Sequence, residues 1–209
     1  MIVVTISRQL GAGGRDVGRR LADELGITYV DHEIVSTAAM LAGVSEDALA
    51  DADERRPTIL SYIADLLARY PTAAELGIPA VEIEPALSQD TYHKMIEDVI
   101  KDVANRGSAV IVGRAGNMIL RNQRWTLHVN LVAPFERRVD LTMKREGIGR
   151  PEAERRVRES DRNRAGYMRT YYKVEWTDPL NYHLTLNMGR LDLDTATNLV
   201  VDAAKSLMG

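Results

Sequence analysis

Residues 6–22 read ISRQLGAGGRDVGRRLA and follow directly on the apolar, β-branched run at 2–5. A buried strand that feeds a glycine-rich loop and then an amphipathic helix is the unit of a parallel α/β sheet, and its loop is a natural phosphate cradle. Three glycines, Gly11, Gly13 and Gly14, fall within four residues. A plain strand-to-helix turn needs glycine only for positive φ, and needs fewer. A dinucleotide-binding loop would place its first glycine close behind the strand and a third where Asp16 stands. Here Arg8, Gln9 and Leu10 intervene first, although Asp31 lies at about the right distance for a ribose-binding acid. The longer loop matches a nucleoside-triphosphate cradle better. That motif carries a lysine followed by serine or threonine. Here the lysine place reads Gly14, and Arg15 and Asp16 follow.

The rest of the chain repeats the alternation. Apolar runs predict strands at 2–7, 27–31, 108–112, 127–132 and 182–186. Val17, Leu21 and Leu25 recur at helical spacing before Gly26 stops the first helix. Met95, Ile96, Val99, Ile100 and Val103 mark another helix, ended by Gly107. Helices follow at about 136–146, at 151–164 with Pro151 as its first residue, and at 195–207 with Ala196, Leu199, Val200, Ala203 and Leu207 on one face. Residues 33–70 read as helix in pieces, interrupted by Pro57, and the proline-bearing stretch at 70–88 reads as a connection or insertion. Strands alternating with helices imply a three-layer α/β fold, a parallel five-stranded sheet covered on both faces. Ligands of such sheets bind outside the carboxyl ends of the strands, which puts the 8–16 loop, Asp31 and Arg114 along one edge.

Composition narrows the function classes. The net charge of −3 over 209 residues gives no bulk attraction for nucleic acid or an anionic membrane, and no apolar stretch reaches 18 residues. Cysteine is absent, which excludes a thiolate metal site and fits a reducing cytoplasm, and the start of the chain lacks the basic region of a secretion signal. Against this background, residues 144–169 hold nine basic and five acidic side chains, and eight of the nine are arginine. Such runs usually form a solvated, salt-bridged helix. Arginine's planar fork also binds phosphate oxygens bidentately. Arg155, Arg158 and Arg162 fall within roughly 60° of one another on a helix, and the glycines just before it would let it swing as a lid.

With these features in place, the chain resembles the cytidylate kinase-like family, P-loop relatives of the bacterial cytidylate kinases. SRQLGAGGRDVGRRLA (7–22) is similar to the family's opening motif, the missing lysine included; VIVGRAGN (110–117) to its third-strand motif; DRNRA (161–165) to a run shared with true cytidylate kinases; and YYKVEWTDPLNYHLTLNMGRL (171–191) to its C-terminal signature. The resemblance implies a single P-loop kinase-like domain over 1–209, with an acceptor-binding insertion at about 33–105 and a lid at about 144–164. It implies ATP and Mg²⁺ as the phosphoryl donor. Arg114, Asp161 and Arg164 match residues that contact the acceptor, Arg162 would sit by the transferring phosphate, and Asn187 would lie near the adenine. In cytidylate kinases a serine-containing motif ending in arginine follows the second strand. Here DHEIVST (31–37) stands instead, with His32 and Thr37 at those two places, and Val132 takes the place of an acid at the end of the fourth strand.

Each expected role has a plainer rival. Gly11, Ala12, Gly13 and Gly14 would bring backbone N–H groups to the phosphates. Arg15 either replaces the lysine or points outward into solvent. Asp16 either ligates Mg²⁺ or is an ordinary first-turn acid favoured by the helix dipole. Asp31 would orient the acceptor or accept its proton, with His32 beside it in a structural or substrate-facing role. Arg158 and Arg162 are the lid candidates for catalysis. Trp125, Trp176 and the tyrosines near 171 read as packing. The expected activity is phosphotransfer from ATP to a nucleoside monophosphate or a related small phosphate-bearing acceptor; the alternative is a non-catalytic nucleotide-binding module. Segment 71–88 would close over the acceptor or pack against a second subunit in a homodimer.

Overall fold

The computed structural model describes residues 1–32, 35 and 88–208. Nearly all of the expected segment at 33–70, with Thr37, and the stretch at 71–87 lie outside the described residues. Five strands form one sheet: β1 (Val3–Arg8), β2 (Thr28–Asp31), β3 (Ala109–Val112), β4 (Thr126–Val132) and β5 (Leu184–Asn187). The order is β2-β3-β1-β4-β5, and every neighbouring pair is parallel. The α-helices are α1 (Gly14–Leu25), α2 (Gln89–Arg106), α3 (Gly116–Ile119), α4 (Phe135–Glu146), α5 (Arg150–Tyr167) and α6 (Leu193–Ser206), and a short 3-10 turn spans Pro179–Asn181.

Both faces of the sheet are covered, because alternate residues of each strand point to opposite sides. Val4 and Ile6 of β1, Val110 and Val112 of β3 and Val129 of β4 pack against Val17 and Leu21 of α1 and Ala196 and Val200 of α6. Val3, Ala109 and Ile111 point the other way, onto Ile96, Val99 and Ile100 of α2. The chain leaves β1 for α1 on the first face and leaves β3 for α3, which packs on β1 with α2 as neighbour, on the second. β1 and β3 are adjacent, so a crevice opens between the two departing loops at their carboxyl ends. That is where open α/β sheets bind ligands.

Several boundaries and faces differ from expectation. β5 starts at Leu184, not 182: Tyr182 is buried with Met118, Met168 and Trp176 in a separate cluster that pulls the chain off the sheet. α6 starts two residues early because Asp192 accepts the Thr195 N–H at 2.8 Å as its N-cap. Its buried stripe runs through Ala196, Thr197, Val200, Val201 and Ala204, which turns Leu199 outward to 44% exposure. Trp125, expected to pack, is 49% exposed on a tight turn with φ 60°, whereas Trp176 is buried. The arginine-rich helix α5 runs past 164 to Tyr167 and continues as a π-helical turn, Met168–Tyr172.

Candidate functional site

The crevice holds a cavity of about 480 Å³ over the ends of β1 and β3, walled on one side by α5. Its position follows from the glycine-rich loop. Gln9 ties the loop to β4, its N–H donating to the Leu131 carbonyl and its side chain accepting from the Ala133 N–H at 2.9 Å. Leu10 packs with Phe135, Val139 and Ile148. Gly11 (φ 79°) passes so close to α4 that a Cβ would lie 2.5 Å from the Arg138 carbonyl oxygen. Gly13 (φ 80°) is the left-handed N-cap of α1 and faces open space. Among the described residues no side chain caps α1, so its first N–H groups are available at the mouth of the loop as an anion site would require.

The expected residues divide into three places. Arg114 and Arg164 line the cavity. Arg114 is carried there by an unusual backbone: Gly113, Arg114 and Ala115 all have positive φ, at 93°, 50° and 52°. Two successive non-glycine residues in the left-handed region cost conformational energy that the surrounding fold must supply. Arg164 reaches the cavity from α5, its guanidinium held by Ser160 Oγ and 5.9 Å from the Trp176 ring. Burial lowers its pKa below the usual arginine value. His32 also lines the cavity, and burial followed by the charge of Arg8 lowers its pKa to about 4. It is therefore neutral at physiological pH. Tyr167 closes the far wall, its hydroxyl 2.6 Å from His93 Nδ1 of α2.

Asp31, Arg15 and Asp16 sit beside the loop. Asp31, buried at the end of β2, lies 4.0 Å from Arg15 Nε, whose own side chain is 42% exposed. Asp16, in the first turn of α1, pairs with Arg145 near the end of α4. It is a single carboxylate, and the described residues contain no cluster of three or more metal-ligating groups. That donor set suits Mg²⁺, which binds through one or two carboxylates together with phosphate and water oxygens, and does not suit a cage-bound metal.

Asp161, Arg158, Arg162 and Asn187 lie outside the cavity lining. Asp161 grips the buried Arg138 with both oxygens, at 3.1 and 2.9 Å, and so fastens α5 to α4. Arg158 stacks its guanidinium 4.3 Å from the Phe135 ring centroid, and Arg162 is exposed. The face of α5 turned to the cavity instead carries Arg156, Glu159, Ser160, Asn163, Arg164 and Tyr167. Arg155, Arg158 and Arg162 are absent from this lining because Ala153 and Val157, both fully buried against α4, set the rotation of the helix, and Arg158 instead lies on Phe135, which packs with Leu10 of the glycine-rich loop. Arg155 forms a surface ladder with Glu152 and Glu159, and Arg150 another with Glu136, Asp140 and Glu154. Much of the arginine run is thus the solvated helix that composition allows. Asn187 accepts the Gly189 N–H at 2.9 Å, forming a turn at the end of β5 on the far edge of the sheet.

Several cavity residues escaped the sequence reading, among them Ser160, Asn163 and, most consequentially, Arg8. Arg8, the last residue of β1, lines the cavity and is largely desolvated, which lowers its pKa to about 10, with Arg164 as the next contributor. Its Nη2 lies 3.4 Å from His32 Nδ1. The available signal was its position, a charged residue ending a buried strand at the edge where ligands bind. Ser7 beside it accepts the Trp176 indole N–H at 3.0 Å, which joins the C-terminal segment to the cavity floor.

Comparison with known proteins agrees with this fold. A cytidylate kinase of Methanopyrus kandleri is 24% identical over 215 residues, covering 99% of this chain and 95% of that protein. Among solved structures, an uncharacterized protein from Eubacterium ventriosum superposes with a TM-score of 0.71 at 20% identity, with 99% of each chain covered. A shikimate kinase from Acinetobacter baumannii, solved with shikimate, shares the fold at a TM-score of 0.52 and 14% identity, over 99% of this chain and 94% of its own. The model of the cytidylate kinase-like family matches residues 3–190, a span that contains all five strands and every residue lining the cavity, and to that family this chain belongs.

Proposed function

We propose that the protein is a phosphotransferase that moves the γ-phosphate of ATP to a nucleoside monophosphate or a related small, phosphate-bearing acceptor. The observation that carries this reading is the convergence of Arg8, Arg114 and Arg164 on one cavity beside the uncapped start of α1. Phosphoryl transfer asks little covalent chemistry of a protein; it asks for alignment and for charge compensation. The backbone at 11–15 would hold the donor phosphates, with Arg15 beside them. Asp16, exchanging Arg145, would hold Mg²⁺, which supplies charge neutralisation at the phosphates when bound. Arg114 and Arg164 would hold the acceptor's phosphate from opposite walls. Asp31 and the neutral His32 would orient the acceptor. Asp161 acts through Arg138 by keeping α5, and hence Arg164, in register.

The acceptor is left broader than cytidine monophosphate, because His32 and Val132 replace groups that the family resemblance associates with cytidine. No described helix is long and apolar enough to cross a membrane, and the absence of cysteine suits a cytoplasmic enzyme. The test is a thermal-shift panel of ATP with Mg²⁺ and of individual monophosphates, followed by a coupled ADP-release assay on those that bind. A ligand at 100 times its Kd adds about 2.7 kcal/mol to stability. ATP–Mg²⁺ binding with acceptor-dependent ADP release supports the reading. Binding without turnover on any acceptor would instead make the protein a nucleotide-binding module.

A further inference from the structure

A conventional phosphate loop has the spacing glycine, four residues, glycine, lysine. With Gly13 as the second glycine, the first falls on Arg8 and the lysine falls on Gly14. The two residue types are exchanged between the two places. The structure gives the exchange a physical meaning. A Cβ built on Gly14 would lie 2.6 Å from Arg8 Cγ and 2.8 Å from Arg8 Cβ. The stem of Arg8 therefore fills the space from which a lysine at position 14 would start. A large side chain at 8 and one at 14 exclude each other. Further out, a Cβ on Gly113 would lie 2.1 Å from Arg8 Nη1, so the guanidinium passes over that glycine into the cavity.

We propose that Arg8 is the phosphate-binding cation of this loop, replacing the missing lysine from the strand side. The assignment rests on the phosphotransfer reading for its context and favours Arg8 over Arg15. Arg15 lies beside Asp31 with a side chain almost half exposed. Arg8 instead lines the cavity together with Arg114, Arg156 and Arg164, so four guanidinium groups and one carboxylate, Glu159, share a space whose excess positive charge a phosphate chain would neutralise. Burial and the nearby charge of Arg164 weaken its hold on its proton, as expected of a cation placed to meet an anion.

The test uses the whole protein and tripolyphosphate as the probe, read by calorimetry and by thermal shift, with ADP release from ATP–Mg²⁺ measured in parallel. Arg8→Gln should fold, since it relieves repulsion with Arg164 and Arg15. It should bind tripolyphosphate at least about tenfold more weakly, the loss of one charged contact. Arg15→Ala should lose much less. Gly14→Lys alone should lower the melting temperature through its clash with Arg8. The exchange Arg8→Gly with Gly14→Lys should remove that clash and restore tripolyphosphate binding. A folded Arg8→Gln protein with wild-type affinity, or a folded exchange variant that does not bind, would overturn the assignment. If the wild type binds tripolyphosphate through Arg8 yet no acceptor supports ADP release, the assignment stands and the phosphotransferase reading fails. If turnover is present and insensitive to Arg8→Gln, the reverse holds.

Discussion

Asp161→Asn separates a structural strut from an acceptor ligand. Arg138 is 5% exposed and its guanidinium makes three hydrogen bonds: Nε to the Ala133 carbonyl at 3.1 Å, and Nη1 and Nη2 to the two Asp161 oxygens. Asparagine keeps the shape but offers one acceptor where there were two, turns an amide N–H₂ toward a guanidinium N–H, and leaves the buried charge uncompensated. Removing one partner of a fully buried pair costs about 3–5 kcal/mol. The Asp161 side chain is 28% exposed, so water recovers part of this, and the expected loss is about 2–3 kcal/mol. In a chain of this size each kcal/mol lowers Tm by about 2–4 °C, so the variant should melt roughly 5–10 °C early. Urea titration should give a lower midpoint with an unchanged slope. Arg138→Gln combined with Asp161→Asn should cost less than the sum of the two single changes, because the second change removes the charge that the first strands. A melting shift below about 1 °C, worth a few tenths of a kcal/mol, would refute the strut, above all if acceptor KM rose at the same time.

Other perturbations test the cavity and the sheet. Gly13→Ala should fold with a strain of about 1–2 kcal/mol from its positive φ and no clash, yet lose ATP–Mg²⁺ binding by calorimetry; Gly11→Ala, whose Cβ meets the Arg138 carbonyl, should be the less stable of the two on melting. Arg114→Ala and Arg164→Ala, which change cavity residues, should each lower kcat/KM for the acceptor by about 10- to 150-fold, and Arg158→Ala far less; the opposite ranking in steady-state kinetics would move the reaction to the other face of α5. His128 is buried with Nδ1 2.8 Å from Thr5 Oγ1, and burial followed by His183 lowers its pKa to about 4. The unfolded chain therefore binds the proton first, so stability should be full above about pH 6.5 and fall as pH drops toward 4, by roughly 3 kcal/mol from this group, with His32 acting in the same direction. His128→Asn should flatten part of that slope, and urea midpoints that do not change between pH 7 and 5 would contradict it.

What the sequence alone determined is local. The strands are short, mostly apolar runs, α1 and α4 are stopped by Gly26 and Gly147, α2 and α6 are started by the capping residues Ser88 and Asp192, and the alternation permits little but a covered parallel sheet. The place of the cavity followed from the same alternation, since the loops after β1 and β3 must open at one edge; of its lining residues, Arg114 was a candidate by its place after β3 and Arg164 by the family resemblance. The direction of individual side chains was not local. Periodicity put Arg155, Arg158 and Arg162 on one face of α5, but which way that face points is set by Ala153 and Val157 packing on α4 and by the Arg138–Asp161 pair. The two apolar positions were visible in the sequence, yet they decide a rotation only once a partner helix exists to bury them. Arg8 is the sharper case. It is one charged residue at the end of a strand, and nothing within several residues says whether it leaves for solvent or turns into the crevice. Gly14 and Gly113, the second more than a hundred residues away, lack the Cβ atoms that would block it, and only the folded sheet brings those two openings together over the same side chain.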